Sequence, residues 1–235
     1  MRSRVRNGGA RVLVLAALAV AGGTPDAAGA AAPTRARAGA FARAVNLVAA
    51  DLPGYASAKS RTTAGEKRFG ASVARCAGGV DGGEVLSADS PDFSQASPGG
   101  LAELDANSTV SVARSSGIAA KDLAVVRSSR GKACLVAAVD QLLKSMKVAG
   151  VSFGRATVTT TRPPAPGANG SFELRLRITA NAGGVRIPFY LHTLGFRLGP
   201  AAVALSTLGI LTPFPAADEQ RLFAVLLARA RANRL

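Results

Sequence analysis

The chain has 235 residues, 48% of them hydrophobic, but only 5% aromatic and none of them Trp. That length suits one domain plus a targeting peptide, with a core built mostly from Val, Leu, Ile and Ala. The formal net charge is +15, and no apolar run after the first thirty residues is long enough to cross a bilayer as a helix, so no transmembrane segment is expected in the mature chain.

Arg2, Arg4, Arg6 and Arg11 form a basic start, Val12 to Ala21 an apolar run, and Ala28-Gly29-Ala30 a set of small residues suited to cleavage. The pattern is that of an export signal over residues 1–30. No Cys lies near residues 20–30, so the expected location is secreted or extracytoplasmic without a lipid anchor. Cleavage removes those four Arg and Asp26, leaving 25 basic against 13 acidic residues, a surplus of +12. Outside the cell this surplus points to anionic envelope polymers or lipid headgroups rather than nucleic acid. Arg-rich codon usage without a specific partner accounts for it equally well.

Residues 31–39 read as a flexible lead-in, and 40–235 as a single domain. Phe41, Val45, Val48 and Leu52 recur at helical spacing until Pro53-Gly54 stops the pattern. Ser57 to Glu66 reads as a loop. Arg68 to Cys76 and Glu84 to Ala88 read as short strands around the Gly-rich segment 78–83. Ser90 to Gly100 reads as a loop anchored by Phe93, and Asn107 to Arg114 as a strand with Val110 and Val112 inward. Ser115 or Ser116 and then Ser128 or Ser129 are suited to cap two successive helices. In the second, Cys134, Leu135, Ala138, Val139, Leu142, Leu143 and Met146 form an apolar stripe. Val151 to Arg162 is a Thr-rich strand, and residues 163–170 (PPAPGANG) a stiff loop.

Ser171 to Ala180 alternates strictly, with Phe172, Leu174, Leu176 and Ile178 on one face and Glu173, Arg175, Arg177 and Thr179 on the other. The tetrad Asn181-Ala182-Gly183-Gly184 supplies a turn, and the next strand is apolar on both faces, so it is covered from both sides. A turn centred on Ala182-Gly183 places Glu173 opposite His192 and Arg175 opposite Tyr190. Pro188 requires an edge, a bulge or an unpaired position. Ala201 to Leu208 is a further strand. After Thr212-Pro213-Phe214-Pro215 comes a last helix with Asp218 and Glu219 in its first turn and Arg229 and Arg231 in its last. The pattern predicts an α+β fold: a mostly antiparallel sheet of about six to seven strands with helices on both faces, an α/β/α sandwich.

The ordered motifs D-L-P-G-Y (51–55), Cys76, S-P-D-F (90–93), K-D-L-A (121–124), A-C-L (133–135), Gly184 with Pro188 and Tyr190, and P-F-P (213–215) run through nearly the whole mature chain. Their layout resembles a group of secreted actinobacterial proteins. It is similar in layout to the extracellular sensor domain of mycobacterial-type Ser/Thr kinases, and more distantly to sandwiches like the PsbP subunit of photosystem II. The resemblance implies a PsbP-like sandwich that binds a ligand or partner rather than catalysing a reaction.

The residues offer little conventional catalytic chemistry. His192 is the one His, set mid-strand. Gly150-Val151-Ser152-Phe153-Gly154 matches G-x-S-x-G, but a helix precedes it and a strand follows, the reverse of a nucleophile elbow. Asp81, Glu84, Asp89 and Asp92 fit neither an EF-hand nor a zinc spacing, so no metal is expected. Gly131-Lys132 lacks the rest of a phosphate loop, and no cofactor is expected. Two separated Cys exclude a C-x-x-C exchanger.

Three functions compete. The first is a non-enzymatic extracytoplasmic binding or sensor-like domain at the cell envelope, with Glu173, Arg175, Tyr190 and His192 as candidate ligand-binding residues. Pairs that satisfy one another on a partly solvated sheet face explain the same four residues. The second is a carrier of an apolar ligand, a lipid or glycolipid; the third, a secreted enzyme, has no constellation in the right context. Export also predicts a Cys76–Cys134 disulfide, against two buried free thiols.

Overall fold

The computed structural model describes residues 31–78, 83–97, 102–146, 148–233 and 235. The expected signal peptide therefore lies outside the described residues, as does most of the Gly-rich segment 78–83. Nine strands join in one antiparallel sheet: β1 (Ala56–Ala58), β2 (Glu84–Asp89), β3 (Asp92–Ala96), β4 (Glu103–Ala113), β5 (Val151–Phe153), β6 (Thr157–Thr161), β7 (Gly170–Ala182), β8 (Val185–Leu198) and β9 (Ala201–Ile210). The order is β1-β3-β4-β9-β8-β7-β5, with β2 also pairing β4 and β6 also pairing β7.

Two helical layers cover this sheet. On one side α1 (Arg35–Val45) and α5 (Ala216–Ala232) bury Phe41, Val45, Leu222, Phe223 and Leu226 against Val110, Val112, Leu194, Phe196, Val203 and Leu205. On the other, α2 (Ala64–Ala77), α3 (Ser116–Arg127) and α4 (Ser129–Ser145) bury Phe69, Leu123, Val139 and Leu143 against Phe172, Leu174, Leu176, Ile178 and Leu208. The expected α+β fold with helices on both faces is found, with nine strands where six to seven were expected. The extra strands come from β1, from β3 within the segment read as a loop, and from the division of Val151 to Arg162 into β5 and β6. Phe93 is fully buried, as expected of the anchor.

Several local expectations are corrected. The chain enters α1 at Arg35, capped by the Thr34 hydroxyl, so the lead-in is shorter than 31–39. That helix ends at Val45 and a single 3-10 turn, Ala49–Asp51, follows, leaving Val48 exposed. Arg68 to Cys76 is helical, not a strand. Its start is fixed by a capping box in which the Thr63 hydroxyl accepts from the Glu66 N–H at 3.2 Å and the Glu66 carboxylate accepts from the Thr63 N–H at 2.5 Å.

The two serine caps hold as read: Ser115 accepts from the Ile118 N–H and Ser128 from the Gly131 N–H. Gly131 has a packing reason, since a Cβ there would meet the Val125 carbonyl oxygen at 2.2 Å. Cys76, at the end of α2, and Cys134, in α4, form the expected disulfide with Cα atoms 5.8 Å apart. The bridge joins two helices, rather than a strand and a helix.

The β7–β8 turn is Gly183-Gly184, with φ of 56° and 82°. A two-residue turn of this kind needs positive φ at both central residues, which two glycines meet and Ala182 does not. Arg175 therefore faces His192, and Arg177 faces Tyr190. This register differs by two from the expected one, so every side chain keeps its face. Pro188 opposes Thr179 of β7 while its carbonyl accepts from the Leu211 N–H, beyond the last β9 pair at Ile210. A strand residue's N and C=O point to the same neighbour, so the Pro nitrogen faces the end of β9, where no ladder bond is required.

Candidate functional site

The candidate site grows from the polar face of β7. Alternation sends its apolar residues to α3 and α4, and Glu173, Arg175 and Arg177 to the side that carries α5. That helix packs over β8 and β9. Over β7 and β6 the same side of the sheet presents Arg175 and Arg177 with Thr157, Thr159 and Thr161, which lie opposite Arg177, Arg175 and Glu173 in register.

Where α5 begins, the sheet face meets a wall made by Pro213, Phe214, Pro215 and Ala216, and the space between them is a cleft of about 520 Å³. Gly209 makes the wall possible. The chain turns back so closely after β9 that a Cβ there would meet the Thr212 carbonyl oxygen at 2.1 Å. Leu211, with φ of 69°, absorbs the bend.

At the inner end of the cleft His192 sits between two carboxylates. Its Nδ1 is 2.6 Å from Glu219 Oε2, and its Nε2 is 2.6 Å from Glu173 Oε1. The side chains of Glu173, His192 and Glu219 are 9%, 14% and 8% exposed. Each remaining carboxylate oxygen has its own donor: Thr207 Oγ1 donates to Glu219 Oε1 at 2.5 Å, and Thr161 Oγ1 to Glu173 Oε2. Arg175 closes the network, with Nε and Nη2 each 2.7 Å from Glu173 Oε1 and Nε 3.2 Å from His192 Nε2. Each ring nitrogen thus lies within hydrogen-bond distance of a carboxylate oxygen. The network ties β6, β7, β8 and β9 to α5, with Glu173, His192, Thr207 and Glu219 forming its buried part.

Arg177 is placed differently. It is exposed, lies over the Tyr190 ring with its guanidinium carbon 5.4 Å from the centroid, and has no carboxylate or carbonyl partner among the described residues. Tyr190 opposes it on β8 and also lines the cleft.

All four candidate residues are therefore brought together, in two roles. Glu173 and His192 form the buried floor network, Arg175 bridges it to the cleft, and Tyr190 lines the cleft beside Arg177. The sequence reading left out Glu219, Thr207 and Arg177. The first two arrive by tertiary packing. Arg177 was legible in the alternation, one step further along the strand than the expected register carried it.

Ser152 is exposed and opposes Asn181, six residues along β7 from the position facing His192, roughly 20 Å away at strand spacing. That distance keeps the G-x-S-x-G serine away from the imidazole. No group of three His, Cys, Asp or Glu side chains arranged for a metal is present among the described residues, and no described helix is long and apolar enough to cross a membrane. Comparison of the chain with protein-family models and with curated proteins gives no match.

Proposed function

We propose that the protein is a non-enzymatic, extracytoplasmic ligand-binding domain of the cell envelope, and that its ligand occupies the cleft between β6, β7, β8 and the start of α5. The observation that carries this reading is the cleft itself. Its volume of about 520 Å³ is in the range of small-molecule sites, and it pairs an apolar wall with a few polar groups on a rigid floor. The Cys76–Cys134 disulfide and the export-type N-terminus support a location outside the cytoplasm. The layout's resemblance to kinase sensor domains agrees with binding rather than turnover.

A second reading, a carrier of an apolar ligand, is favoured by the wall of Pro213, Phe214 and Pro215. Purification from the producing host, followed by solvent extraction and mass spectrometry, separates the two. A stoichiometric lipid or glycolipid supports the carrier, a polar or glycan ligand supports the binding domain, and repeated absence of any bound compound contradicts both. The basic surplus supports adhesion to anionic envelope polymers. Retention on isolated cell walls then falls as salt rises, whereas salt-independent retention contradicts an electrostatic origin.

A further inference from the structure

The charges around the cleft do not cancel everywhere. Glu173 is taken up by His192, Arg175 and Thr161, and Glu219 by His192 and Thr207. Both floor carboxylates are thus committed within the network. Arg177 remains, exposed on the lining of the cleft, with its guanidinium carbon 5.4 Å from the Tyr190 ring centroid and no ion pair among the described residues. A guanidinium stacked on a ring keeps its in-plane N–H donors free, and those donors match the two oxygens of a carboxylate or phosphate. Across the cleft the wall offers the exposed Pro213 and Pro215, backed by the buried Phe214, and no charge.

Resting on the reading of the cleft as the ligand site, in its apolar-ligand form, we propose that the ligand is an anionic amphiphile. Its carboxylate or phosphate head is held by the free N–H donors of the Arg177 guanidinium, and its apolar body lies against Pro213 and Pro215. The Tyr190 ring lies under this guanidinium and leaves N–H donors free for the head. The floor network keeps Glu173 and Glu219 hydrogen-bonded to their partners, so the head meets no free carboxylate there.

The test is calorimetric titration of the full chain with decanoate, decyl phosphate and decanol, which share a tail and differ in the head. Wild-type protein is expected to bind at least one of the two anions roughly tenfold or more tightly than decanol. Arg177→Met, which keeps an apolar stem, is expected to abolish that preference. Arg162→Met, an equal loss of exposed charge at the end of β6, is expected to keep it. The Arg177 guanidinium makes no hydrogen bond to a described residue, so Arg177→Met is expected to melt like wild type. Equal binding of all three probes overturns the anionic head while leaving the cleft as a binding site. An anion preference that survives Arg177→Met, or is lost equally in Arg162→Met, overturns the role of Arg177. Failure of every probe to bind wild-type protein overturns the cleft reading, and this inference with it.

Discussion

His192 Nδ1 on β8 lies 2.6 Å from Glu219 Oε2 on α5, a contact that pins the first turn of the last helix to the centre of the sheet. Because Glu173 sits at the other ring nitrogen, one imidazole stands between two carboxylates that are each less than a tenth exposed. Removing one partner of a buried hydrogen-bonded network leaves the others unsatisfied, at a cost of about 1–3 kcal/mol. His192→Phe is expected to lose that much in urea unfolding. A loss under about 1 kcal/mol would mean that the network contributes little to holding α5 in place.

The Cys76–Cys134 bridge closes a loop with a sequence separation of 58 and ties α2 to α4 on the face opposite the cleft. By loop entropy such a cross-link contributes roughly 4 kcal/mol. Cys76→Ser is therefore expected to lower the melting temperature while leaving cleft binding unchanged at low temperature. Loss of binding in a variant that is still folded would place the bridge in the site's own support.

Asp122 on α3 gives stability a definite pH dependence. Burial, reinforced by the charge of Glu84, pushes its carboxyl up from 3.8 to about 7, and its Oδ1 is buried without a hydrogen-bond partner. Burial likewise pushes Glu84 up, with Asp89 adding to the shift. The folded state therefore holds a proton on Asp122 that the unfolded state releases near 3.8, so stability falls as pH rises from there through about 7. After allowing for partial solvent screening, the loss is roughly 1–3 kcal/mol. Asp122→Asn is expected to remove most of this slope when unfolding free energies at pH 5 and pH 8 are compared. A slope unchanged in the variant would assign it to other groups.

Gly209 has no room for a methyl group, because a Cβ would lie 2.1 Å from the Thr212 carbonyl oxygen and 3.0 Å from the Phe214 nitrogen. Gly209→Ala is expected to displace the Pro213–Pro215 wall and weaken cleft binding more than it lowers overall stability. Chemical shifts of Phe214 and Tyr190 would report the displacement. Unchanged shifts would show that the turn relaxes elsewhere.

The sheet was legible wherever alternation was strict. Along β7 the even-numbered apolar residues and odd-numbered polar ones sort to opposite faces, and Val110 and Val112 on β4 point inward as read. What escaped was set by local chemistry of lower contrast. In α2 the apolar residues Phe69, Val73 and Ala77 have helical spacing, but they are few, and Thr63 and Glu66 carry the decisive signal. The hairpin register turned on which adjacent pair of residues tolerates positive φ. Glu219 and Thr207 reach His192 only because α5 folds back across β8 and β9, a relationship no local pattern encodes. The four candidate residues nevertheless share one face, because a register error of two preserves faces.

The central claim is that the cleft holds a small ligand, and native mass spectrometry of protein from its producing host tests it most directly. Thr159 lines the cleft from the exposed side of β6, opposite Arg175, so Thr159→Trp fills the space from outside the Glu173–His192–Glu219 contacts. Wild-type protein is predicted to carry a stoichiometric additional mass that dissociates on activation, and Thr159→Trp is predicted to carry none. An additional mass of equal occupancy in both proteins, or none in either, would contradict the account.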